Sequence, residues 1–156
     1  MKRRGFTLIE MVIVMVILGL SITLVTPYLS RFSRTVELRA SAKKISGILR
    51  YYRSEAIQQG KVYQVLFDSN LREVRIQSRE RTEEKALKNR YPLPAGVQIK
   101  ELNIPAPQYP EDFPAIEFYP SGGSNGGSIL LDSPDRKGFR ISVHFLTGMV
   151  VIEAIS

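Results

Sequence analysis

The sequence predicts an α+β protein, with one long N-terminal helix packed on a β-rich globular head. Three observations predict it. Residues 6–29 form an apolar run whose only charge is Glu10, and a stripe of apolar residues at three- and four-residue spacing then continues as far as Ile57. From Val62 onward the period changes to two. A chain of 156 residues has room for one domain plus a membrane-length segment.

The apolar run comes first. Its 24 residues exceed the roughly 20 that a helix needs to span a bilayer. Met1-Lys2-Arg3-Arg4 lies directly before it, so the positive-inside rule leaves the N-terminus in the cytoplasm and carries the remainder across. No small-residue cleavage pattern follows the run, which is therefore expected to be retained. Gly19 permits close approach of a second helix. Pro27 removes a helix hydrogen bond and predicts a kink or local melting over residues 23–27.

Glu10 is the residue that asks for a function. A carboxylate in hydrocarbon is costly without a partner. A cut after Gly5 would create a new amine on Phe6, four residues before it. Two partners are open. One is the Phe6 amine of the same chain together with the helix dipole. The other lies on a neighbouring subunit, and this is the expected one, because it would also fix axial register.

Residues 30–60 read as an amphipathic helix. Val36, Ala40, Ile45, Ile48, Leu49, Tyr52, Ala56 and Ile57 make its apolar stripe, and Arg39, Lys43, Lys44, Arg50 and Arg53 fill the other side. Gly60 supplies a stop. A continuous helix over residues 6–59 would be roughly 80 Å long at about 1.5 Å per residue, so its first half must project from a domain of this size.

Residues 61–156 form the predicted head. Residues 62–68 and 71–77 flank Ser69-Asn70 as a hairpin. Residues 78–90 are charged, without an apolar stripe, and are expected to form a surface loop or short exposed helix. Residues 97–102, 115–119, 128–132, 139–145 and 149–154 read as further strands. Residues 104–114, with four prolines, read as a loop, residues 120–127 as a flexible hairpin connection, and Thr147-Gly148 as a tight turn.

The net charge of +7 is unevenly placed: residues 31–61 carry +6, residues 72–90 carry +3, and the chain from Tyr91 onward carries −3. A basic stalk facing acidic heads of neighbouring copies accounts for this better than a nucleic-acid surface, because the charge is strung out with few aromatics between. Catalysis has little support. Cysteine is absent, and the lone His144 reads as a solvated strand residue. Glu111-Asp112 lacks the ligand cage that calcium requires. The glycines of residues 122–127 lack the Lys-Ser/Thr and the helix start of a phosphate loop. No metal, cofactor or catalytic residue is expected.

The basic leader, Gly5 before Phe6, Thr7-Leu8-Ile9-Glu10 and the apolar helix reaching Pro27 resemble the class III signal of type IV pilins and type II secretion pseudopilins. Tyr91-Pro92-Leu93-Pro94-Ala95-Gly96-Val97 is similar to the central stretch of the GspH/FimT group. Ile116-Glu117-Phe118-Tyr119-Pro120-Ser121-Gly122 and Thr147-Gly148-Met149-Val150 resemble two later segments of that group. The resemblance implies a pilin-like fold, often with two small sheets. It also implies cleavage after Gly5 by a prepilin peptidase, N-methylation of Phe6, an assembly role for Glu10 and a helix bend at Pro27.

By the same resemblance the chain is an H-type minor pseudopilin of a type II secretion pseudopilus, at or near the filament tip, helping export folded proteins across the outer membrane. Its implied setting is the bacterial inner membrane, single-pass, with a periplasmic head. Its implied partners are other pseudopilins and secreted protein cargo. The alternative is a FimT-like minor pilin of a type IV pilus, serving motility, adhesion or DNA uptake. The basic C-terminal tip of DNA-binding relatives is missing, since Met149, Val150 and Val151 follow Gly148. The disulfide loop of major pilins has no cysteines to form it, and no calcium-binding C-terminal loop is evident.

Overall fold

The computed structural model describes residues 6–79, 85–108, 112–133 and 136–155, with the side chains of residues 23–34, 85–88 and 136–137 outside that set. One helix, α1 (Leu8–Gln59), runs without interruption for 52 residues. Thr7 opens it as an extended N-cap, and Gly60 closes it in the left-handed conformation at φ 65°. That conformation costs glycine nothing, which is why the helix ends there.

Among the described residues the head holds eight antiparallel strands in two four-stranded sheets. β1 (Val62–Asp68), β2 (Glu73–Arg79), β3 (Lys85–Pro92) and β5 (Ala115–Phe118) form the first, in the order β3-β2-β1-β5. β4 (Gln98–Asn103), β6 (Gly127–Ser133), β7 (Arg136–Val143) and β8 (Val150–Ala154) form the second, in the order β4-β6-β7-β8. The C-terminal half of α1 lies across both, contacting β1, β5, β6, β7 and β8.

Strand alternation builds the core between them. Tyr63, Val65 and Phe67 stand opposite Phe118 and Ile116 on one side and Ile76 and Val74 on the other, and all are buried. The second sheet adds Ile129, Leu131, Ile141, Val143 and Val150. From the helix come Leu38, Ala42, Ile45, Leu49, Tyr52 and Ala56. The expected stripe is right from Ile45 to Ala56 and shifted before it. Val36 and Ala40 face outward, as does Ile57 at the far end, while Leu38, Ser41 and Ala42 turn inward. The 3.6-residue period fits both sets over so short a window, and only the position of the sheets decides between them.

Three sequence expectations need correction. Residues 85–92 form β3, an edge strand paired with β2, where a loop or helix was expected. Charged side chains suit a sheet edge because they discourage further pairing there, and their lack of apolar pattern hid the strand. β2 starts at Glu73 because Ser69 to Arg72 make the turn: Asp68 Oδ1 accepts from the backbone of Asn70 (3.0 Å) and Leu71 (2.9 Å), and Arg72 sits at φ 51°.

The third correction concerns residues 120–127, which join β5 of one sheet to β6 of the other; their antiparallel pairing stops at a single Phe118–Ser124 bridge, so β5 and β6 are not hairpin partners. Nor is this connection loosely held. Asn125 Oδ1 accepts from the Glu117 backbone N–H (2.8 Å), while its Nδ2 donates to Ala115 O (2.9 Å) and Pro105 O (3.2 Å). One amide side chain thereby occupies the free edge of β5 as a strand would.

The described parts of the Pro-rich segment, residues 104–108 and 112–114, lie against the outer face of the first sheet. Beneath them Glu117 is fully buried and accepts from Gln64 Nε2, the Gln108 backbone N–H and the Tyr119 hydroxyl, each at 2.8 Å. Arg75 pairs with Asp68 at 2.9 Å and with Glu73, and lies over the Phe113 ring at 5.0 Å. Multiple hydrogen bonds are what let a carboxylate stay buried.

Candidate functional site: the exposed helix start and the end of the head

The first turn of α1 is built by its cap. Thr7 has φ −83° and ψ 149°, its Oγ1 accepts from the Glu10 backbone N–H at 3.3 Å, and its carbonyl accepts from Glu10 (3.1 Å) and Met11 (3.3 Å). Thr7 and Glu10 stand as N-cap and third helical residue, the spacing of a capping box. The positive end of the helix dipole also favours an acid in this turn. The sequence reading missed the cap, although Thr-x-x-Glu before an apolar run is its sequence signature.

Every described residue from 6 to 22 is exposed, including Phe6, Leu8, Ile9 and the apolar positions through Ile22. The polar Ser21 is satisfied locally, its hydroxyl donating to Ile17 O at 2.8 Å. Among the described residues no helix is long and apolar enough to cross a membrane. The described side chains of this stretch end at Ile22, while the uncharged sequence continues to Ser30. An all-round apolar helix is a buried helix in whatever setting the molecule works. Among the described residues, no part of the head covers it.

Of the sequence-predicted site residues, Phe6 lies just before the Thr7 cap and Glu10 in the first turn, both exposed. Gly5 lies outside the described residues. Pro27 falls within α1, and its side chain, with those around it, lies outside the described set. Of the Glu111-Asp112 pair, Asp112 is exposed and Glu111 lies outside the described residues. Among those residues no cluster of three or more candidate metal ligands occurs. His144 is exposed just beyond β7, stacked on Phe145 at 5.2 Å and within 3.3 Å of the Thr147 hydroxyl.

At the end of the head, arginines from the polar side of the amphipathic stripe tie α1 to two loops and to the start of β8. Arg53 Nε donates to Thr147 O (2.8 Å) and Gly122 O (3.2 Å), and Arg50 donates to Val150 O (3.0 Å). Gly148, at φ 62°, lies so close that a Cβ there would stand 2.6 Å from Gly122 O and 2.9 Å from the Arg53 stem. The motif-like segments around Gly122 and Gly148 thus meet across Arg53.

A long capped helix with an apolar first half, laid on a two-sheet head, defines a protein of the pilin-like class. Residues 1–26 match the prokaryotic N-terminal methylation motif, and residues 41–147 match the model of the type II transport protein GspH. The chain belongs to the GspH family.

The type II secretion system protein H of Xanthomonas campestris pv. campestris is 30% identical over 147 residues, covering 94% of this chain and 81% of that protein. The fold is similar to that of the minor pseudopilin EpsH from the type 2 secretion system of Vibrio cholerae: TM-score 0.61, 22% identity, 76% of this chain and 97% of that one. It is also similar to the type IV minor pilin FimU of Pseudomonas aeruginosa, with TM-score 0.58, 15% identity, and coverage of 78% of this chain and 92% of that one.

Proposed function

We propose that this chain is an H-type minor pseudopilin that enters a short periplasmic filament of a type II secretion system, at or near its tip, and so helps folded proteins cross the outer membrane. The observation that carries the reading is the exposed apolar helix of residues 6–22, continuous with the helix that roots the head. Lipid covers such a surface before assembly, and the helices of sister subunits cover it afterwards. The GspH family match and the protein H relative favour the secretion machine over a type IV pilus. The likeness to FimU concerns the fold alone.

In this reading a prepilin peptidase cuts after Gly5 and the new amine of Phe6 is methylated, as the match to the methylation motif supports. The head then stands in the periplasm and the helix in the inner membrane. Glu10, held in the first turn by the Thr7 cap, offers its carboxylate to the amine of a neighbouring subunit. That charge pair fixes how far one rod slides along the next, because an unpaired carboxylate in an apolar bundle is costly. Pro27 gives the helix a place to bend as it moves from bilayer to filament.

Deletion of the chain in its own cells tests the reading. Secreted proteins accumulate in the periplasm, and the full-length chain restores their release. Normal secretion together with loss of pilus-driven motility would move the protein to a type IV pilus.

A further inference from the structure

Arg50 and Arg53 are three residues apart on α1 and frame a cleft of roughly 250 Å³ that Gly148, Met149 and Val150 complete. Among the described residues both guanidinium groups bond only to backbone carbonyls: Val150 O for Arg50, and Gly122 O and Thr147 O for Arg53. Among the described residues neither pairs with a carboxylate. Carbonyl bonds orient a guanidinium without cancelling its charge, and each fork keeps donors to spare. Gly148 leaves the cleft without a side chain at that position, and its close approach to Gly122 O and to the Arg53 stem bars one.

The surroundings are apolar. The turn beside the cleft carries Phe145, Leu146 and Met149 outward, exposed to 58%, 68% and 60%, and Val151 follows at 47%. Two fixed, uncompensated cations beside an exposed apolar rim call for a ligand with a carboxylate and apolar neighbours. A planar carboxylate matches the guanidinium fork, and water excluded by the rim strengthens the pair. A nucleic-acid backbone would instead need a longer basic track.

We infer that this cleft is a docking site for an acidic segment of another protein chain, with an Asp or Glu side chain received between Arg50 and Arg53 and apolar neighbours laid on Met149 and Leu146. The inference rests on the head and is independent of which machine the chain serves.

Photocrosslinking tests it in the full chain, expressed in its own cells with p-benzoylphenylalanine in place of Met149. The expected product joins position 149 to a protein peptide in which an Asp or Glu lies beside the attachment point. Its yield falls about tenfold or more in Arg50→Gln, as loss of one partner of a desolvated charge pair requires. Arg50→Lys, which keeps the charge but not the fork, gives an intermediate yield. Arg39→Gln, on an exposed position of the same helix, leaves the yield unchanged. Thermal unfolding of each variant, unchanged from the parent, keeps the comparison one of docking. Absence of a product, a product on lipid or nucleic acid, a peptide without a neighbouring carboxylate, or a yield indifferent to Arg50→Gln would overturn the inference.

Discussion

Replacing Asn125 with alanine tests whether residues 120–127 are a flexible link or a fastened one. The substitution removes the acceptor of the Glu117 N–H and the donor to Ala115 O, at 2.8 and 2.9 Å, and both residues are fully buried. An orphaned buried backbone group costs about 1–3 kcal/mol. The Pro105 carbonyl, whose residue is exposed, can turn to water and adds little. Asn125→Ala is therefore expected to destabilise the head by about 2–4 kcal/mol, with partial entry of water setting the lower figure.

For a domain of this size each kcal/mol shifts the melting temperature by about 4–8 °C, so the midpoint falls by roughly 8 °C or more. Thermal unfolding of the full chain in detergent, followed by near-UV circular dichroism of the tyrosines, measures it. Asn70→Ala, in the exposed β1–β2 turn, is the control and stays within about 0.5 kcal/mol of the parent. An Asn125→Ala protein that melts with that control would refute the role of the side chain as a surrogate strand.

Other outcomes follow from the same contacts. Gly148→Ala forces a Cβ to 2.6 Å from Gly122 O at φ 62°, and its unfolding midpoint in urea corresponds to a loss of about 2 kcal/mol or more. Leu49→Ala, at a fully buried site between α1 and the sheets, costs about 2–5 kcal/mol in the same titration. Burial holds the Tyr52 hydroxyl above its ordinary phenol value. Its contribution to stability is complete below the unfolded value near 10.0 and is lost as pH rises through the raised folded value; alkaline unfolding of Tyr52→Phe lacks that slope. Glu10→Ala leaves membrane insertion and the melting of the head unchanged, and fractionation together with filament recovery detects whether assembly alone is lost.

Much of the fold is legible in the sequence because the strong signals are local. Gly60 ends the helix where the left-handed residue is needed, and β1, β4, β5, β6 and β8 fall within two residues of their periodic segments. What escaped depends on neighbours far along the chain. β3 is polar because it lies at an edge, and no pattern within residues 78–90 records that β2 is waiting for it. Asn125 sits among glycines that suggest freedom, and its partners Ala115, Glu117 and Pro105 become visible only once the sheets are in place.

The candidate site divides in the same way. Phe6 and Glu10 fall within residues 1–26, which match a linear motif, and Thr7 was legible too, through its spacing from Glu10. Arg50 and Arg53 look like any solvated basic residues until the carbonyls of Gly122, Thr147 and Val150 arrive beside them.

Recovery of the secretion filament from its own cells, with mass analysis of the chains in it, tests the central claim most directly. The account predicts this chain in the filament as a form beginning at N-methylated Phe6, present for the parent sequence and missing for Glu10→Ala. A chain that starts elsewhere, or a Glu10→Ala protein incorporated as well as the parent, would contradict it.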